Sequence, residues 1–348
     1  MSSLARIAVH RSQFPEQVRR DLLASLHMRK VNHKFHYDSL KQTQRWLALH
    51  QTCSPSRTDP DCAAAYDRSF EVAAARIRAK SVHVIGLGCG GGQKDARLLK
   101  LLRQAGKEVF YTPSDVSAAM VLVARQAAAA VLPEVNCFPF VCDLASAADL
   151  PSVLDLISLQ LRSAPRSRQR VTRRSTLKAA RLITFFGMIP NFEPQVILPR
   201  LAALVGASDF LLFSANLAPG PDYSAGVRRV LPLYDNRLTR DWLMTFLLDL
   251  GVERADGRLR FVIEDTRAGS GLKRIAAYFH FARRRILQVD EQRFEFRRGD
   301  AVRLFFSYRH TPALVMALLR RHGLQVLDQW LANSGEEGVF LVARGDAV

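Results

Sequence analysis

Between Val82 and Leu102 the chain reads VHVIGLGCGGGQKDARLLKLL. Gly86, Gly88, Gly90, Gly91 and Gly92 stand between an apolar run and a helix-forming run. Glycine at such a junction frees the backbone to turn sharply and lets its N–H groups come close to a ligand. Two acidic residues follow at the positions a nucleotide site needs, Asp115 in YTPSDVS and Asp143 in VCDLAS. A carboxylate after the second strand of such a unit accepts hydrogen bonds from ribose hydroxyls. A polar group after the third strand gives a second hold, near a base. Further on, Asn191 in FFGMIPNFEP and Tyr234 in LYDN offer an amide and a phenol. Both groups hydrogen-bond an amine without sealing it in an ion pair.

The spacing narrows the ligand. Gly86, Gly88 and Gly90 form G-x-G-x-G, whereas a dinucleotide fold wants G-x-G-x-x-G. No G-K-[ST] follows, so a phosphate-binding P-loop is excluded. A glycine loop with no pyrophosphate to neutralise suits S-adenosylmethionine (SAM). A helix N-cap is the competing reading of both Asp115 and Asn191, and an ordinary half-buried aromatic that of Tyr37 and Tyr234.

The surrounding pattern must position these groups. Apolar strands are predicted near VHVIGLG, EVFYTPS, CFPFVCD, RLITFFGM and DFLLFSA, with helices starting near Lys94, Val116, Ala145 and Glu193. That alternation predicts an α/β fold with a doubly wound, mostly parallel sheet. Residues 1–66 read as helical with no strand. After residue 220 a helix in LTRDWLMTFLLDLGV is followed by alternating strands in KRIAAYFHFARRRILQV, QRFEFRRGD and AVRLFFSYRH. A helix and two strands then return to the sheet.

Bulk properties exclude several classes. Apolar residues make up 48% of the 348, enough for a large core, yet no uninterrupted apolar run of membrane-spanning length occurs. The start lacks the apolar stretch of a secretory signal. Five scattered cysteines show no metal-ligand spacing, which points to a reduced, cytoplasmic protein without a metal. His33 and His36 have H-x-x-H spacing but no third ligand nearby, so both read as structural. The net charge of +18 raises nucleic acid as a partner, but 41 of the 50 basic residues are Arg and most are dispersed. The one dense block, 162–175, has no aromatics to stack on bases and reads as a solvated loop.

Several of these motifs together resemble the SAM-dependent amino-acid Nα-methyltransferases typified by the histidine methyltransferase of ergothioneine biosynthesis, whose fungal relatives methylate a prenylated tryptophan. The similarity runs from FHYD through GLGCGGGQK, YTPSDVS, VCDL, FFGMIPNFEP and LYDN to FFSYR, and FFGMIPNFEP is its most specific part. The resemblance implies a class I methyltransferase with a Rossmann-like sheet, over residues 67–220 and 309–348. A second α+β substrate domain would comprise 1–66 and 221–308. It implies SAM as cofactor, held by Gly86, Gly88, Gly90, Lys94, Asp115 and Asp143. It gives Asn191 the acceptor's α-amino group and Tyr37 and Tyr234 its amino-acid backbone, with Gly187, Phe305 and Ser307 completing the substrate site. Asn191 and Tyr234 would be the catalytic pair.

The departures bear on the acceptor. The family's histidine enzymes carry Glu two residues before the substrate Ser, where this chain has Phe305, and Ser54 stands where a substrate Tyr is expected. Without that carboxylate an imidazole loses a buried partner, so the position suits an aromatic or apolar side chain better than histidine. The expected partner is a small-molecule amine, with no membrane. Two other functions fit the same residues: methylation of RNA or a peptide, and a relative that binds SAM without turnover.

Overall fold

The computed structural model describes residues 4–163, 179–266 and 271–345. Residues 164–175 of the Arg-rich block therefore lie outside the described residues.

The strand–helix alternation builds one eight-stranded sheet. Its strands are β1 (Ala8–Val9), β2 (Ser81–Leu87), β3 (Glu108–Asp115), β4 (Phe140–Val141), β5 (Ala180–Phe185) and β6 (Phe210–Asn216), joined by two late strands. Between them in sequence come β7 (Gly257–Asp265), β8 (Lys273–Phe281), β9 (Arg285–Val289), β10 (Gln292–Phe296) and β11 (Ala301–Arg309); β12 (Leu324–Leu331) and β13 (Glu337–Arg344) then return to the sheet. The order across it is β1-β4-β3-β2-β5-β6-β13-β12. β2 pairs in parallel with β3 on one side and β5 on the other, and β13 runs antiparallel to β6. The chain thus leaves β2 in both directions. The carboxyl end of β2 is the topological switch point, where open α/β sheets bind ligands.

β2 is buried at every position after Ser81, and mostly apolar, because helices cover both of its faces. Ile85, Phe110, Ile183 and Phe213 face helices Leu150–Ser163 and Pro194–Leu204. Val84, Val109, Leu182 and Leu212 face helices Pro60–Arg76 and Gln93–Gln104. The period of two along each strand produces this division.

β7, β8 and β11 form a separate antiparallel sheet in the order β11-β8-β7, and β9 and β10 form a hairpin. Leu26, Phe35, Trp242, Phe246, Phe279 and Phe305 join these strands and helices Pro15–His27, Leu40–Cys53 and Arg237–Asp249 in one apolar core. The end of β11 is stitched to the main sheet. His310 N donates to Asn216 O at 3.0 Å, and Ala218 N donates to His310 O at 2.9 Å.

The architecture is the expected doubly wound α/β fold with an additional antiparallel layer. Four local expectations change. Residues 1–66 contribute a strand after all, β1, which pairs with β4 at only two positions and is too short to leave a periodic signal. β7 was hidden because its charged and apolar residues mix on a half-exposed edge. KRIAAYFHFARRRILQV holds two strands, β8 and β9, separated by a turn. The helix expected near Ala145 begins at Leu150, because Asp143 Oδ1 accepts the N–H of Ala145 at 2.8 Å and holds a turn there. Among the described residues no helix is long and apolar enough to cross a membrane, and no cluster of His, Cys, Asp and Glu could hold a metal.

Candidate active site

The glycine string leaves β2 and opens helix Gln93–Gln104. Gly88, Gly90 and Gly92 have φ of +61°, +51° and +71°, a region that side chains with a Cβ rarely occupy. Space is short as well. A Cβ on Gly88 would stand 2.7 Å from Met188 Cγ, and one on Gly90 would stand 3.1 Å from the Trp46 ring. Gly86 plays a different part. It does not line the cleft, and its missing side chain makes room for Asp95, whose carboxylate accepts from Tyr111 at 2.6 Å and Thr184 at 2.8 Å.

Beside the loop lies a cavity of about 630 Å³. Of the residues singled out from the sequence, Gly88, Gly90, Lys94, Asp115 and Asp143 line it together with Tyr37, Gly187, Asn191, Tyr234 and Phe305. Ser307 sits just behind the wall, where its hydroxyl accepts from Tyr234 Oη at 2.9 Å.

Asp115 ends β3, and its carboxylate accepts from Gly90 N at 3.1 Å and Ser117 N at 3.0 Å. It is not the helix cap. Ser117 holds that position, its hydroxyl accepting from Met120 N. Burial pushes the Asp115 carboxyl up to about 6, opposed by those backbone N–H groups. Asp143 follows β4. Its Oδ2 is buried without a hydrogen-bond partner among the described residues, 3.9 Å from the Lys34 ammonium.

Lys94 is half-buried at the start of its helix. Its ammonium donates to Tyr66 Oη at 3.0 Å and lies 4.2 Å from the Tyr66 ring centroid. Burial lowers its pKa, while Glu337 pulls the other way. Tyr66 Oη also donates its one proton to the Glu337 carboxylate and lies 2.8 Å from Ser214 Oγ, whose hydroxyl can donate to it, and Ser214 Oγ accepts the N–H of Gly187. One hydrogen-bonded chain therefore joins the first helix after the loop to the segment carrying Asn191.

Asn191 ends a single 3-10 turn, Ile189–Asn191, after β5. It does not cap the following helix, whose N-cap is Glu193. Its side-chain amide faces the cavity and has no protein partner among the described residues. The Glu193 carboxylate is already engaged by Arg274 at 2.9 Å and by Tyr308. Tyr37, His33, Trp242 and Phe305 form an aromatic wall: Trp242 and Phe305 centroids lie 5.7 Å apart, and those of His33 and Tyr37 5.0 Å apart. Burial drops His33 to about 3, so it stands neutral in that wall.

Sequence reasoning missed Trp46, Tyr66, Asn216, Arg309 and Glu337. Arg309 lay within FFSYR, but a motif does not say which of its side chains face a ligand. Glu337 and Tyr66 carry no local signal, since they meet only through the sheet.

The residues fit SAM. The glycine cradle would be filled by a Cβ, a carboxylate follows β3, and the buried Asp143 oxygen after β4 lacks a hydrogen-bond donor among the described residues. Among curated protein sequences none matches the chain. Among solved structures, similarity extends to the CcbJ methyltransferase from Streptomyces caelestis at 12% identity, covering 82% of this chain and 96% of that one with a TM-score of 0.37. It extends also to a Burkholderia thailandensis 1,6-didemethyltoxoflavin-N1-methyltransferase with bound 1,6-didemethyltoxoflavin and S-adenosylhomocysteine. That match has 11% identity, coverage of 87% and 91%, and a TM-score of 0.38. Residues 63–251, more than half of the chain and the part that carries the glycine loop, Asp115, Asp143, Asn191 and Tyr234, match the family described as histidine-specific methyltransferase, SAM-dependent, and the protein belongs to that family of SAM-dependent methyltransferases.

Proposed function

We propose that the protein methylates the α-amino nitrogen of an amino acid or close derivative whose side chain is aromatic or apolar. The observation that supports this most is the continuity of one cavity wall from Gly88 and Asp115 to Asn191, Tyr234 and Phe305. In this reading residues 67–220 and 309–348 hold the cofactor, and residues 1–66 and 221–308 cover the acceptor.

When bound, SAM supplies an electrophilic methyl group on a sulfonium. Gly88 and Gly90 hold its chain, Lys94 its carboxylate, Asp115 its ribose and Asp143 its adenine. The protein's own work is to present a neutral amine in line. Good alignment of two reactants can supply roughly 7–11 kcal/mol of the barrier. Asn191 suits that task because its free amide can hold an amine by hydrogen bonding, whereas a carboxylate there would stabilise the unreactive ammonium. Tyr234 and Tyr37 position the amino-acid backbone, and Gly187 leaves space beside it. Phe305, only 8% exposed and packed against Trp242, forms an apolar wall where a histidine enzyme of the family has Glu.

The test is a screen of the twenty amino acids with SAM, read by mass spectrometry for gains of one, two or three methyl groups. Transfer to the α-nitrogen of phenylalanine, tryptophan or leucine in preference to histidine is expected. Transfer only to an oxygen, a side-chain nitrogen or RNA would overturn the assignment.

A further inference from the structure

Arg309 ends β11 and is 6% exposed, with its side chain on the cavity wall. Nη1 donates to Leu217 O at 2.9 Å and more loosely to Glu336 O at 3.4 Å. Nη2 donates to Tyr234 Oη at 2.8 Å, and Nε is buried with no hydrogen-bond partner among the described residues. Every group it touches is neutral, and among the described residues no carboxylate lies within ion-pair distance. Arg274 on the neighbouring strand β8 shows the contrast, with Glu193 at 2.9 Å and Glu264 at 2.8 Å. A cation taken out of water without an anion is costly, so buried charges are normally paired. The planar fork of a guanidinium matches a carboxylate with two parallel hydrogen bonds.

The position of Arg309 says which carboxylate. Along β11 residues two apart share a face, so Phe305, Ser307 and Arg309 point the same way, and all three are buried. The Tyr234 ring spans them. Its centroid is 6.3 Å from that of Phe305 and 5.2 Å from the Arg309 guanidinium carbon, and its hydroxyl donates to Ser307. One strand therefore presents an apolar wall at one end and an unpaired cation at the other, with a phenol between. Lys94 is a separate, half-buried cation beside the glycine loop.

We propose that Arg309 receives the carboxylate of the acceptor, so that the enzyme selects free α-amino acids over amines and carboxamides bearing the same side chain. This rests on the proposed Nα-methylation, with Phe305 facing the acceptor's side chain. It adds a charge requirement that neither Phe305 nor Asn191 imposes.

The test pairs binding with turnover. Calorimetry in the presence of S-adenosylhomocysteine uses 3-phenylpropanoate, a carboxylate with no amine, on the wild type, Arg309→Gln and Arg309→Lys. The wild type should bind it, Arg309→Gln at least tenfold more weakly, and Arg309→Lys in between, with S-adenosylhomocysteine affinity held within about twofold. In turnover the wild type should prefer L-phenylalanine over L-phenylalaninamide by at least a hundredfold, a comparison that needs no variant to fold. If no amino acid is methylated yet 3-phenylpropanoate binding depends on Arg309, the Nα reading fails and the carboxylate site stands. Equal turnover of acid and amide by the wild type overturns the site and leaves the Nα reading intact. Loss of S-adenosylhomocysteine affinity in Arg309→Gln, with 3-phenylpropanoate binding unchanged, overturns it in favour of the cofactor's own carboxylate.

Discussion

Gly90 donates its backbone N–H to the Asp115 carboxylate at 3.1 Å, tying the glycine loop after β2 to the end of the neighbouring strand β3. The same carboxylate is half-buried on the cavity wall and pushed up to about 6 by desolvation. One group therefore shapes the loop and, in the proposed role, receives the ribose hydroxyls.

Affinity for the cofactor should then depend on pH. Hydroxyl donors favour the carboxylate form, so the ligand binds that form better and releases a proton as it does so below about pH 6. Affinity for S-adenosylhomocysteine should be flat from pH 8 to 7 and fall about tenfold per unit well below 6. Calorimetry across pH 5–8 measures this, and Asp115→Asn should bind weakly with no such slope. A wild-type profile flat down to pH 5 would remove Asp115 from the ribose contact.

Gly88→Ala should lose on two counts. A Cβ at φ +61° costs about 1–2 kcal/mol, and it would also press on Met188. Thermal unfolding should show a drop of that order, and S-adenosylhomocysteine affinity should fall at least tenfold. Normal affinity in the variant would mean that the loop does not carry the ligand.

Asn191→Ala removes an amide that caps no helix and has no protein partner among the described residues. Its effect on stability should stay within about 0.5 kcal/mol. Methyl transfer should fall at least a hundredfold, with S-adenosylhomocysteine affinity unchanged. The separation of rate from binding is the diagnostic, and full activity in the variant would falsify the site.

Phe305→Glu tests the acceptor wall. The change places a carboxylate among Trp242, Tyr234 and the neutral His33. Stability should drop by about 2–4 kcal/mol, from lost packing and a buried charge. The ratio of kcat/KM for histidine over phenylalanine should rise at least tenfold. An unchanged ratio would show that the acceptor's side chain lies elsewhere.

The sequence by itself determined the alternation of strands and helices in the middle of the main sheet, because runs such as VHVIGLG are buried on both faces and can be little else. It also marked the glycine loop at the end of β2, since Gly88, Gly90 and Gly92 at alternate positions meet a conformational need that other residues cannot. The strands β1 and β7 escaped, one too short and the other too mixed in polarity to show a period. Only the tertiary structure decided that Asp115 and Asn191 are not caps, that Gly86 makes room for Asp95 rather than lining the cleft, and that Tyr66, Lys94 and Glu337 form one chain. It alone showed that Arg309 is buried without an anion among the described residues. The reason is physical: whether a polar group is paired depends on partners many residues away, brought near by the pairing of strands, and periodicity along the chain carries no record of them.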